Sequence, residues 1–347
     1  MKRNAGPGNL WAIVLAAGRG ARLAAITKAL HGREVPKQFA ALCGERTLVQ
    51  RTMDRIAALI PPERTVVVVG DDQMDLAGPQ LATYPGVEIV RQPRNLGTAP
   101  GLLLPLAHLL ARDPDALVVV FPSDHHFTRE GPFVDAVRRA VAVAARAPGG
   151  VTLVGAEADA AATDLGWIAP GARCRPRGTR AYRVARFVEK PADPVARQLL
   201  REQALWNTLI IAARARSLWG LAAGTVPRIV NALDPYRASI GQPGASERLR
   251  SLYADLPAAD LSRDILEHAK RLSVVSMVGA GWSDCGTPER LSRAFGELRP
   301  PDHGVARLPL RAHAKRRPVD DGAQMMSSRA VPGNRRMRSL PQARAGV

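Results

Sequence analysis

A glycine turn flanked by fixed cations can hold phosphate, and residues 10–38 of this chain, LWAIVLAAGRGARLAAITKALHGREVPKQ, carry both. Residues 10–17 are apolar, β-branched and short enough for a buried strand. Gly18-Arg19-Gly20 follows as a turn in which no side chain shields the backbone N–H groups from an anion. Arg22 and Lys37 add two cations, so the stretch reads as a polyphosphate site. It is neither of two common phosphate motifs. No Lys-Ser or Lys-Thr follows the glycines, as a P-loop needs, and Leu23 stands where the dinucleotide fingerprint has its third glycine.

The elements that must position this turn repeat one pattern. Continuous apolar strands are expected over 65–70 (TVVVVG), 87–91, 116–121 (ALVVVF) and 151–156. Helices are expected between them over 47–60, 76–83, 101–111 and 133–147, and a short helix or loop over 24–33. The fold class is therefore α/β: a Rossmann-like, mostly parallel sheet covered on both faces. Ligands of such sheets sit beyond the carboxyl ends of the strands. The glycine turn, Gln92 and Asp124 all fall at those ends.

After residue 156 the character changes. Strands are expected at 166–168, 182–188, 209–213 and 272–278. Helices are expected over 194–204 and from Pro288 to about 298, with a tight polar loop over 282–287. Residues 1–9 read as a flexible N-terminus. Beyond Pro300 apolar periodicity is lost, and 300–347 reads as a basic disordered tail.

Composition narrows the function. The 347 residues are 46% hydrophobic, enough for a real core, and carry a net charge of +18. The tail from Asp302 holds ten Lys/Arg against three Asp, and the remaining excess is scattered arginine. That distribution describes a generally basic surface rather than a nucleic-acid face, and 4% aromatic content leaves few stacking platforms. Cys43, Cys174 and Cys285 are far apart and odd in number, which fits neither a zinc site nor a disulfide framework. With no apolar signal segment and no stretch able to span a bilayer, a cytoplasmic location without membrane association is expected.

Seven segments then appear in order: LAAGRGARL, PKQF, QPRNLGTAPG, FPSDH, FVEKP, LWN and GWSDCGTPERL. Together they resemble the sugar-1-phosphate nucleotidyltransferases, most closely the mannose-1-phosphate guanylyltransferases, over residues 10–298. The resemblance implies a nucleotide-diphospho-sugar transferase domain over 10–299, with a nucleotide half (10–156) and a sugar-phosphate half (157–299). It implies the Mg²⁺-dependent reaction of a sugar 1-phosphate with an NTP to give an NDP-sugar and pyrophosphate, with GTP and mannose 1-phosphate as substrates. It places Arg22 on the triphosphate, Lys37 across the reacting phosphates, and Asp124 and Asp284 on the metal. Leu15, Ala16, Gly18, Gly20, Gln92, Asn95, Gly97 and Thr98 become nucleotide contacts. Gly166, Glu189, Lys190 and Asn207 become the sugar-phosphate subsite.

The chain also departs from the family pattern. Ala21 replaces a threonine after the second glycine, the Arg22-to-Lys37 spacing is long, and Thr208 replaces a serine. Cys285 stands where a bulkier residue is common, and the carboxy-terminal isomerase or β-helix extension of some relatives is not expected from these residues. A competing reading is a non-catalytic nucleotide- or sugar-phosphate-binding protein of the same fold. A glycosyltransferase of similar fold would carry D-x-D, whereas His125 and His126 follow Asp124. The sequence leaves a homo-oligomer open.

Overall fold

The computed structural model describes residues 8–147, 149–174 and 180–296, all within one compact unit, Met1–Leu310. The expected basic tail and residues 1–7 lie outside the described residues. In chain order the elements begin β1 (Leu10–Leu15), α1 (Ala24–His31), α2 (Leu48–Ala57), β2 (Thr65–Gly70), α3 (Met74–Leu81), β3 (Glu88–Gln92), α4 (Thr98–Arg112) and β4 (Leu117–Pro122). They continue with β5 (His126–Phe127), α5 (Glu130–Arg146), β6 (Val151–Glu157), β7 (Gly166–Arg173), β8 (Ala181–Glu189), α6 (Asp193–Arg201) and β9 (Leu205–Arg214). Then come α7 (Ala215–Thr225), α8 (Pro227–Ser239), α9 (Ala245–Asp255), β10 (Leu272–Met277), β11 (Trp282–Ser283) and α10 (Pro288–Phe295).

Nine strands form one sheet in the order β3-β2-β1-β4-β9-β6-β10-β8-β7. The first four run parallel, as their unbroken apolar sequences require. Each strand feeds both faces. Ala12 and Val14 of β1 enter one core, built with Met53, Ile56, Phe133 and Val137. Trp11 and Ile13 enter the other, built with the leucines of α4 and with Leu218, Ile229 and Leu233 of α7 and α8. Three layers result, and the carboxyl ends of β1, β3 and β4 are left free to form a site.

The second half of the sheet differs from a simple βαβ series. Strand β6 is reached not from β4 but through β9, which is antiparallel to both. The two regions expected on either side of residue 156 therefore share one sheet. On its other edge β9 meets β4 at its C-terminal end, through Ile211–Arg214, and β7 at its N-terminal end, through Leu205 and Trp206. Between those ends the pairing with β6 slips after Val154, and Leu209 takes a left-handed φ of 56°. The gap at Asn207–Leu209 opens the middle of the sheet.

Helices α7, α8 and α9 and the π-helical turn Leu261–Leu266 have no counterpart in the expected elements. Pro227 and Pro235 punctuate the segment, and its apolar residues serve several packing partners rather than one periodic stripe. The two-residue strands β5 and β11 escape any periodicity argument, yet Ser283 pairs with His126 and so draws the 282–287 loop against the end of β4.

Ile211 is fully buried and pairs with Val120 on one side and Leu153 on the other. Ile211→Ala is expected to cost about 2–5 kcal/mol. The measurement is a lowered urea midpoint at unchanged m-value. An unchanged midpoint would contradict the central placement of β9.

Candidate functional site

Strand β1 ends where Ala16 N–H donates to Val68 O at 2.9 Å. The chain then turns through Gly18 and Gly20 into a single 3₁₀ turn, Ala21–Leu23, that carries Arg22. Gly20 is required there: its φ is +62°, and an added Cβ would stand 2.9 Å from the backbone nitrogen of Lys37. The contact presses the PKQF segment against the glycine turn.

Lys37 is 8% exposed. Its ammonium donates to Asp284 O at 2.6 Å and Cys285 O at 3.4 Å, and pairs with Asp124 Oδ2 at 3.1 Å. One buried cation thus joins three parts of the chain. Burial pushes the Asp124 carboxyl upward, but the charges of Lys37 and then His125 outweigh it and hold that carboxyl below its ordinary value. His125 accepts from Trp282 Nε1 on Nδ1 at 3.1 Å, which leaves the neutral ring's proton on Nε2. Burial pushes its pKa down to about 4.

Asp284 is buried, and its Oδ1 lies 2.6 Å from Arg290 Nε and accepts from Gly286 N–H at 3.1 Å. Arg290 also pairs with Asp164, which in turn meets Arg22 Nη1 at 3.1 Å. An ionic chain therefore runs from the arginine beside the glycine turn to the carboxylate of the 282–287 loop. Cys285 turns that loop at a left-handed φ of 50°, and burial pushes its thiol up to about 12, so it is chemically inert.

Arg22, Lys37, Asp124, His125 and Asp284 face a cavity of about 330 Å³. Of the expected site residues, Leu15, Gly18, Arg22, Lys37, Gln92, Asn95, Gly97, Thr98, Asp124 and Asp284 line it. Ala16 is buried, and Gly20 acts on Lys37. Gln92 is 1% exposed, with Nε2 on Arg94 O and Oε1 without a partner among the described residues. Gly97, at φ +96°, lies so close to Ala259 O that any Cβ would collide with it. From there α4 starts at the cavity, where Ala99 N–H is already given to Ala259 O at 3.1 Å and Pro100 has no N–H to offer.

Gly166, Glu189, Lys190 and Asn207 are outside that lining but form a second cluster. Gly166 pairs with Glu189 in register, and a Cβ on it would stand 2.5 Å from Glu189 Oε2 and 3.2 Å from Asn207 Cβ. Lys190 reaches Glu189 Oε1 at 3.5 Å. Burial raises the Glu189 carboxyl above its ordinary value, with Lys190 opposing.

Sequence reading missed the connector between the clusters. Thr98 Oγ1 donates to Asp260 Oδ2 at 3.0 Å and accepts from Leu261 N–H at 2.7 Å. Asp260 caps Ser262 and Arg263 N–H, and Asn207 Nδ2 reaches Ser262 Oγ at 3.4 Å. An aspartate just before an apolar helical turn is a capping signal that could have marked Asp260. Asp164 and Arg290 were also missed, and no local signal marks them.

A glycine turn, a buried lysine and two carboxylates thus meet at the carboxyl-end side of a three-layer α/β domain. The nucleotidyl transferase family profile matches residues 11–299, and the chain belongs to that family. It is 30% identical over 281 residues to a mannose-1-phosphate guanylyltransferase of Salmonella muenchen, covering 79% of this chain and 57% of that one. It is also 30% identical over 280 residues to the alginate biosynthesis protein AlgA of Pseudomonas syringae pv. tomato, covering 79% and 56%. The chain thus spans under three-fifths of the length of these relatives. A crystal structure of a protein described as mannose-1-phosphate geranyltransferase, from Thermus thermophilus, superposes with a TM-score of 0.71 at 29% identity, covering 83% of this chain and 80% of that one.

An alanine at Gly20 would be left-handed and would displace Lys37, a penalty of about 1–2 kcal/mol. Gly20→Ala is expected to weaken nucleoside triphosphate binding about tenfold in calorimetric titration. Unchanged affinity would show that the turn does not hold the phosphates.

Proposed function

We propose that the chain is a sugar-1-phosphate nucleotidyltransferase that joins mannose 1-phosphate to GTP, releasing pyrophosphate. The observation that carries this reading is Lys37, held between the Asp124 carboxylate and the Asp284 carbonyl on the wall of the glycine-turn cavity. The reaction brings two anions together and develops charge on a leaving pyrophosphate. Positioning and fixed positive charge are what it needs.

In this reading Arg22 leaves Asp164 for the triphosphate, and the N-terminus of α4 with Gln92 and Asn95 receives the nucleoside. The unpartnered Gln92 Oε1 suits a base edge that donates. Glu189 and Asn207 accept and donate to sugar hydroxyls, and Lys190 holds the incoming phosphate. That phosphate is largely dianionic at neutral pH and attacks without a general base. Its oxygen bonds to the α-phosphorus in line as the bond to the bridging oxygen of pyrophosphate breaks. Lys37 neutralises charge on both sides of the exchange.

The residues fit Mg²⁺. Asp124 and Asp284 offer hard oxygen ligands; Asp124 meets Lys37 through Oδ2, and both Asp284 oxygens face Arg290, which would have to yield to an ion. Among the described residues no group of three or more His, Cys, Asp or Glu is placed to hold a metal. A two-carboxylate site suits an ion that completes its shell with phosphates and water. When bound, the ion supplies further neutralisation of phosphate charge. No described helix is long and apolar enough to cross a membrane. GTP and a sugar phosphate as substrates fit a cytoplasmic enzyme.

The test is pyrophosphate release with Mg²⁺ across five nucleoside triphosphates crossed with mannose 1-phosphate and glucose 1-phosphate. Release is expected to be strongest for GTP with mannose 1-phosphate. Lys37→Met and Asp124→Asn are each expected to lower kcat by about 10²–10³-fold. Folded wild-type protein that binds nucleotide yet releases no pyrophosphate would overturn the reading in favour of a binding protein.

A further inference from the structure

The carbonyl oxygens of three consecutive residues in the glycine turn are each taken by a side-chain amide. Ala16 O accepts from Gln38 Nε2 at 3.0 Å, and Ala17 O from Asn95 Nδ2 at 3.1 Å. Gly18 O accepts from Gln38 Nε2 at 2.6 Å and also from Gln73 Nε2 at 3.0 Å. The three donors come from separate parts of the fold: the PKQF turn, the segment after β2, and the loop after β3. Gln38 and Asn95 line the cavity, but Gln73 does not. Gln73 is 5% exposed and packs against Gly70: a Cβ there would stand 3.3 Å from the Gln73 amide carbon and 2.7 Å from Asp72 Oδ1.

A trans peptide holds its C=O and the next N–H antiparallel within one plane. Holding the carbonyls of residues 16, 17 and 18 therefore also aims the N–H groups of Ala17, Gly18 and Arg19. A polyanion needs those dipoles presented together, and a single flipped peptide would put a carbonyl oxygen against phosphate. Glycine makes such a flip cheap at position 18. Gly18 O is the carbonyl that receives two donors, which fills both of its lone pairs.

We propose that Gln73 is a positioning residue for nucleotide binding: with Gln38 it locks the Gly18–Arg19 peptide so that its N–H faces the triphosphate. It acts through the backbone and touches no substrate. The proposal rests on the nucleotidyltransferase reading for its kinetic form only, because the clamp is equally readable in nucleotide affinity.

The experiment compares wild type, Gln73→Met and Gln73→Glu in nucleoside triphosphate titration and in steady-state kinetics against both substrates. Methionine keeps length and bulk but cannot donate. It is expected to raise the Kd and KM for the nucleotide about tenfold, with KM for the sugar 1-phosphate within twofold of wild type. An ionised glutamate faces the Gly18 oxygen with like partial charge and should do worse at pH 8. Burial raises its pKa, so as pH falls to 6 the protonated acid donates in place of the amide and the defect should shrink relative to wild type. Should the methionine variant not fold, Gln73→Asn carries the same comparison, since it withdraws the amide by roughly 1.5 Å. Wild-type nucleotide affinity in the variants, equal losses on both substrates, or a Gln73→Glu defect that ignores pH would overturn the proposal. A wild type that binds nucleotide without turnover would instead defeat the function reading and leave the titration arm to judge the clamp.

Discussion

The site depends on one buried ammonium. Lys37 leaves water almost entirely, and a charge in that position is tolerated only with close compensation. It finds that compensation at the end of β4 and in the 282–287 loop, 247 residues from its own position along the chain for the nearer carbonyl. The requirement fixes what surrounds it. Gly20 must lack a side chain so that the Lys37 backbone can approach, and β11 must pair with β5 so that the Asp284 loop arrives. Arg290 must then answer the Asp284 carboxylate, which Lys37 meets only through its carbonyl.

The sheet supplies the room. Four parallel strands end together, and β9 then interrupts the sheet by lying antiparallel between β4 and β6. Its irregular middle at Asn207–Leu209 leaves Leu209 on the cavity wall and Asn207 in the Glu189 cluster. The strap from Ala259 to Ser262 ties the start of α4 to Asn207 through Thr98 and Asp260. Two neighbouring clusters, one facing the glycine turn and one built on β7–β9, are therefore joined by short hydrogen-bonded steps.

Much of this was legible in residue order. Strand β2 begins and ends where TVVVVG does, and the glycine turn, Gln92 and Asp124 meet because strand ends of a parallel sheet converge. What could not be read was long-range pairing. Asp164 and Arg290 look like ordinary surface charges until the fold sets them beside Arg22 and Asp284. Gln73 sits in a polar stretch, and only its placement against Gly18 gives it a partner. The segment from α7 to the 261–266 turn packs on several neighbours at once, which erases a single helical stripe.

Lys37 and Asp124 act as one unit, and a double-mutant cycle on unfolding free energy measures their coupling. Lys37→Met, Asp124→Asn and the double variant would be unfolded in urea without ligand. Each single change is expected to leave one charge without its partner, the buried Lys37 or the half-buried Asp124, and the double variant to recover part of the loss, with a coupling of about 1–3 kcal/mol. Additive losses would mean that the pair does not hold the site together.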